Sequence, residues 1–174
     1  MQICEQKSEK KNRNAIEFSI FFSDLIVLIN LQKSFFYFLN NLKKSFTKLR
    51  VRYGETDQMG VVYYGNYAEY LEQGRTEWLR SMGITYKFME DHHVHLPVVD
   101  LHISYKFPAK YDDVITITTT LVKSPSKKID FYYEIHNQNG KLLITATTTL
   151  VFVDSITKKI MNAPDYLLEK LEEN

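Results

Sequence analysis

From Phe46 onward, apolar and polar residues alternate with a period of two in one segment after another. In FTKLRVRY, Leu49, Val51 and Tyr53 alternate with Lys48, Arg50 and Arg52. In VVDLHISYKF, Val99, Leu101, Ile103, Tyr105 and Phe107 alternate with Asp100, His102, Ser104 and Lys106. VITITTTLV and IDFYYEIH follow the same rule, and LLITATTTLVFV is longer and β-branched. Such alternation demands strands with one dry face and one wetter face. Pro97, Pro108 and Pro125 fall near the strand boundaries, where a missing N–H is tolerated. Asn139-Gly140 between two strand patterns signals a hairpin.

One segment breaks the alternation. In NYAEYLEQGRTEWLRSMG, the residues Tyr67, Leu71, Gly74, Trp78 and Met82 recur at helical spacing, and Gly83 is placed to stop the helix. Gly74 sits on the apolar stripe. Glycine inside a helix costs ~1 kcal/mol against alanine, so its presence predicts close approach to a sheet. A short last helix follows Pro164, with Leu167, Leu168 and Leu171 inward. The order is strand, long helix, four strands, short helix. Five strands need cover on the dry face, and one long helix is available. The expected fold is α+β: a curved five-stranded antiparallel sheet wrapped around that helix, with a short C-terminal helix.

At 174 residues, with 44% hydrophobic and 14% aromatic residues, the chain supplies a core for one domain. A formal net charge of +1, with mixed acids and bases, gives no footprint for a nucleic acid or other polyanion. The single cysteine, Cys4, excludes a disulfide framework and a thiolate zinc site within one chain and points to a reducing, cytoplasmic setting.

Residues 1–45 contain no Gly and no Pro and are rich in Phe, Leu and Ile. Glu17, Asp24 and Lys33 interrupt the apolar run, and no small-residue cleavage site follows it, which argues against a spanning helix and a signal peptide. The expectation is an apolar helical extension outside a domain of residues 46–174. Three roles stay open for it: lying on the domain, contacting a partner such as a membrane surface peripherally, or standing outside the native product.

Between the first strand and the long helix runs GETDQMGVVYYGN, which holds three of the six glycines. Gly54, Gly60 and Gly65 are expected to permit tight backbone geometry there. The turn brings Asp57 toward the helix start, where free N–H groups and partial positive charge gather. A carboxylate beside such donors and an apolar cleft suits attack on a carbonyl: the N–H groups hold the oxyanion, and the carboxylate activates water or attacks directly. The residues alone leave a second role open, because an Asp near a helix start also serves as a cap or turn residue.

The run ETDQMGVVYYGNYAEYLEQGRTEWL resembles the signature of the hotdog-fold acyl-CoA thioesterases related to para-hydroxybenzoyl-CoA thioesterase and the Tol-Pal-associated thioesterase. PVVDLHISYKFPAKYDD and LVFVD are similar to that family too, and the resemblance spans about residues 46 to 170. It implies an acyl-CoA substrate and hydrolysis without a metal or other cofactor. It places the family's catalytic Asp on Asp57, as general base or nucleophile. It places the N–H that polarises the thioester carbonyl on Tyr64, where many members carry His and the para-hydroxybenzoyl-CoA branch carries Tyr. Gly65, beside Tyr64, is expected at the substrate. Tyr53 matches an active-site Tyr of the His-bearing branch, although its alternation with Val51 equally makes it core. The resemblance also implies a homodimer or homotetramer with active sites between subunits.

Glu72 and Arg75 stand at i, i+3 and form either an ion pair or, for Glu72, part of the acyl cleft lining. Lys127 and Lys128, beside Pro125, make either a phosphate-holding basic loop or an ordinary hairpin. His92, His93 and His95 with Asp91 are read as solvated loop residues, since adjacent histidines point apart. A binding module for acyl-CoA or acyl carrier protein that does not turn it over is the alternative function. Asp57 discriminates, because a binder has no need of that carboxylate.

Overall fold

The computed structural model describes residues 43–172. Residues 1–42 of the expected extension, with its membrane or partner contact, lie outside the described residues, as does Cys4, whereas Lys44 and Ser45 belong to the first strand.

Five strands form one antiparallel sheet: β1 (Lys44–Arg50), β3 (Val98–Tyr105), β4 (Val114–Leu121), β5 (Lys128–His136) and β6 (Leu142–Val151), in the order β1-β4-β5-β6-β3. Helix α1 (Asn66–Ser81) lies across the inner face. This is the hotdog arrangement. The alternation fixes which side chains turn inward. Ile115 and Ile117 of β4 and Phe131, Tyr133 and Ile135 of β5 are buried against α1, while Thr116, Thr118 and Glu134 occupy the outer face. The helix answers with Tyr67, Tyr70, Leu71, Gly74, Trp78 and Leu79, all buried. Trp78 stands edge-on to Phe131 at 5.0 Å between ring centroids, and its indole N–H donates to the Lys43 carbonyl at 3.0 Å.

Gly74 is the point of closest approach. A Cβ there would meet Thr119 Oγ1 at 2.7 Å and Ile117 Cγ2 at 2.8 Å. The helix ends at Gly83, whose φ of +79° is left-handed, with its N–H donating to the Arg80 carbonyl. Gly140, with φ +75°, turns the hairpin between β5 and β6. Helix α3 (Asp165–Glu172) follows Pro164 and buries Leu167.

Several local expectations shift. The first strand runs from Lys44 to Arg50 and does not reach Tyr53. The chain instead makes a 3-10 turn, Tyr53–Glu55, that breaks the phase of the alternation. Tyr53 is therefore 78% exposed, not core. Two small features escaped the periodicity: a six-residue helix α2 (Tyr86–Asp91), capped by Thr85 Oγ1 accepting from Phe88 N–H at 3.0 Å, and a ribbon of β2 (Val94–His95) with β7 (Val153–Asp154). The dry face of β3 is also less dry than its pattern implies. Val99, Leu101, Tyr105 and Phe107 are 43–54% exposed. β3 is an edge strand, bulged between Val98 and Asp100, and α1 packs on β1 and β4 at the other side of the sheet.

Candidate active site

The segment between β1 and α1 folds back on itself. Thr56 bridges Val62, Asp57 N–H donates to the Val61 carbonyl at 2.9 Å, and Gly60 N–H returns to the Asp57 carbonyl at 2.9 Å. Gly60 has φ +73° and needs to be glycine. Gly54 and Gly65 have no positive φ, so the expected backbone requirement holds at one of the three positions. At Gly65 the constraint is space: a Cβ would stand 2.8 Å from the Tyr63 ring.

Asp57 is half-buried at the head of this turn. Its Oδ1 accepts from Met59 N–H at 2.8 Å, which aims the carboxylate, and Oδ2 has no hydrogen-bond partner among the described residues. At the other end of the fold-back, α1 begins without a side-chain cap. The N–H groups of Tyr64 and Gly65 donate to no acceptor among the described residues. Tyr64 is held through its carbonyl, which accepts from Tyr105 Oη at 3.1 Å, and its ring rests on Tyr63 at 4.5 Å. A free carboxylate oxygen and two free amides at a helix start thus share one short loop. Next to them lies a mainly apolar cavity of about 180 Å³ lined by Val62, Tyr64, Tyr67, Tyr105, Lys106, Phe107 and Pro108.

The second acid of the segment has a different life. Glu55 is 8% exposed and saturated. Its carboxylate accepts from Arg52 N–H at 2.7 Å, Arg52 Nε at 2.7 Å and Tyr70 Oη at 2.8 Å. Burial works to raise the Glu55 carboxyl, but these bonds outweigh it and hold it below the usual glutamate range. Burial and the Glu55 hydrogen bond together push the Tyr70 phenol far above its ordinary value, so it stays protonated and donates.

The other expected site residues are spread out. Tyr53 meets the edge of Tyr111 at 5.6 Å and is otherwise open. Glu72 is largely exposed and pairs with the buried Arg75 at 3.1 Å, while Arg75 Nε donates to Tyr86 Oη at 3.1 Å. Lys127 and Lys128 are exposed, the first in the loop between β4 and β5 and the second opening β5. That loop is at the Lys44 end of the sheet, whereas Val51 and Val62 tie the Asp57 turn to Asp113 and Ala109 at the Arg50 end. An eight-residue strand separates the two ends, on the order of 25 Å at the usual rise. One chain does not bring these lysines to Asp57. Among the described residues no cluster of three His, Cys, Asp or Glu side chains could hold a metal ion.

Sequence reasoning missed Glu55, Arg52, Tyr70 and Tyr105 as parts of the site. The Arg52–Glu55 spacing of three was a usable signal, but Tyr70 joins them only once α1 is folded.

Comparison with known proteins points to the same fold. YneP of Bacillus subtilis is 41% identical over 107 residues, covering 62% of this chain and 78% of YneP. The long-chain acyl-CoA thioesterase FadM of Escherichia coli is 30% identical over 128 residues, covering 73% of this chain and 96% of FadM. Among solved structures, the DHNA-CoA thioesterase of Staphylococcus aureus superposes with a TM-score of 0.71 at 32% identity, covering 75% of this chain and 89% of that one. Residues 51–171 match the family described as the thioesterase-like superfamily. With the hotdog sheet and helix in place, the chain belongs to that superfamily, among its hotdog-fold acyl-CoA thioesterases.

Proposed function

We propose that the protein hydrolyses an acyl-CoA thioester to the free acid and CoA, without a metal, in the cytoplasm. One observation carries this: Asp57 keeps a free carboxylate oxygen while the Tyr64 and Gly65 amides stay unpaired at the uncapped start of α1. A helix-cap role would have consumed those amides, and the turn bond from Met59 N–H occupies only one of the two carboxylate oxygens. In the proposed reaction the thioester carbonyl oxygen lies against the Tyr64 N–H, which holds the charge of the tetrahedral intermediate. Asp57 takes a proton from an attacking water, or attacks the carbonyl carbon itself to form an acyl-Asp57 anhydride that water then opens to the free acid. CoA thiolate leaves. The acyl group enters the aromatic-lined cavity, and Gly65, next to Tyr64, gives the second free amide at the substrate.

Assembly completes the proposal. The apolar residues Val98, Val99, Leu101 and Tyr105 along the β3 edge are 43–54% exposed, which suits a second copy pairing there. Two-fold pairing of β3 with its copy is antiparallel. It carries the Lys127–Lys128 loop of one subunit toward the Asp57 end of the other, which gives those lysines access to CoA phosphates. Glu72, on the exposed side of α1, would face the same shared cleft.

The deciding experiment is Asp57→Asn, assayed with a thiol reagent against butyryl-, benzoyl- and palmitoyl-CoA. Loss of a general base costs roughly 10²- to 10⁴-fold. A folded Asp57→Asn variant that still hydrolyses at the wild-type rate removes this mechanism. If the wild type binds these esters tightly without turning any over, the binding module stands instead.

A further inference from the structure

Glu55 lies two residues before Asp57 and is bonded on both sides of the fold-back. Its carboxylate grips Arg52 at the exit from β1 and Tyr70 on α1. Its backbone carbonyl accepts from Tyr63 N–H at 2.9 Å and from Asn66 Nδ2 at 2.7 Å. Tyr63 immediately precedes Tyr64, and Asn66 opens the helix. One buried residue therefore holds the strand exit, the approach to the proposed oxyanion donor and the second turn of the helix together. Meanwhile Asp57 is held by local turn bonds alone.

We propose that Glu55 is a positioning residue of the hydrolase proposed above: through Tyr70, Arg52, Tyr63 and Asn66 it sets the spacing between the Asp57 carboxylate and the Tyr64 amide. The inference rests on that reading of the reaction. Its chemistry calls for a carboxylate. Four donors converge on two oxygens: Tyr70 Oη and, from Arg52, Nε, a second guanidinium nitrogen at 2.6 Å and the backbone N–H. A glutamine has one acceptor oxygen and would turn its NH₂ group toward a donor. The turn would then lose its tie either to Arg52 or to Tyr70. Misplacement of reacting groups by about 1 Å costs as much as ~10²-fold in rate, while the cavity that binds the acyl group is untouched. The signature is a fall in kcat with KM preserved.

The test uses the full chain with Glu55→Gln and Tyr70→Phe, and the fastest substrate among butyryl-, benzoyl- and palmitoyl-CoA. Glu55→Gln is expected to lower kcat roughly 10- to 100-fold with KM within about twofold, in a sample shown to be folded at the assay temperature. Tyr70→Phe removes one bond and keeps the ring, and is expected to lower kcat about 3- to 10-fold. If Glu55→Gln does not fold, Tyr70→Phe decides. Wild-type kcat in the folded variants overturns the inference, and so does a loss that tracks the unfolded fraction alone. Asp57→Asn in the same assay separates the two claims. If it is inactive while the other two run at the wild-type rate, only the positioning role falls; if Asp57→Asn is fully active, the reaction falls and takes the role with it.

Discussion

Replacing Gly74 with alanine tests how tightly α1 is seated on the sheet. The new Cβ would stand 2.7 Å from Thr119 Oγ1 and 2.8 Å from Ile117 Cγ2, where ordinary contact starts at 3.4 Å. Both atoms belong to β-branched side chains of β4, which lies between β1 and β5 in the sheet. Such side chains are stiff at χ1 and have no room to swing. The helix must lift. Overpacking of this kind costs ~1–3 kcal/mol, and the better helix propensity of alanine returns up to ~1 kcal/mol. The balance is a destabilisation of about 0.5–2 kcal/mol, read as a lower urea midpoint at unchanged slope. Because Tyr64 stands just before the lifted helix, hydrolysis by the folded variant should slow as well. An equal or higher urea midpoint would refute the reasoning, since only propensity would then be acting.

Tyr64→Phe should retain most activity, because the proposed donor is the backbone amide; a loss as deep as that of Asp57→Asn would assign the chemistry to the phenol. Light scattering should find at least a dimer at micromolar concentration, and an active monomer there would overturn the β3 pairing. Glu55 has a folded-state pKa below its ordinary value of 4.5, so its contribution to stability is present above that value and is lost as pH falls through the depressed one. The urea midpoint of the wild type should therefore drop from neutral pH into this acid range more steeply than that of Glu55→Gln, and parallel profiles would contradict the role given to its bonds.

Much of the scaffold was legible because it rests on periodicity. Alternation exposed five strands, the Tyr67–Leu71–Gly74–Trp78 stripe exposed α1, and Gly83 and Asn139-Gly140 marked a stop and a turn. These signals are local and repeat several times over. What escaped was short or tertiary. Six residues of α2 and two-residue strands are below the length at which a period can be recognised. Tyr53 continued an alternation on paper, but the 3-10 turn shifted its phase. Glu55 and Asp57 look alike in the sequence, and only the arrival of Tyr70 tells the saturated acid from the open one. The lysine loop could have been placed better. Plain alternation of connections would put it at the Asp57 end; the helix crossover makes β1 and β3 run the same way, and with that crossover counted the β4–β5 connection falls at the end away from Asp57.

The two rims of the sheet are built differently. β1 turns Lys44, Phe46, Lys48 and Arg50 outward, all exposed, with Arg50 paired to Asp112, while β3 shows valine, leucine and tyrosine. Two sticky rims would let each added copy offer a fresh one, and the product would be an endless ribbon. A rim lined with cations repels its like and resists strand addition. The proposed pairing through β3 would use up the adhesive rim of both copies and leave the lysine-bearing ones facing out. Growth by strand addition would then terminate at a closed particle, with the charges of β1 working against polymerisation.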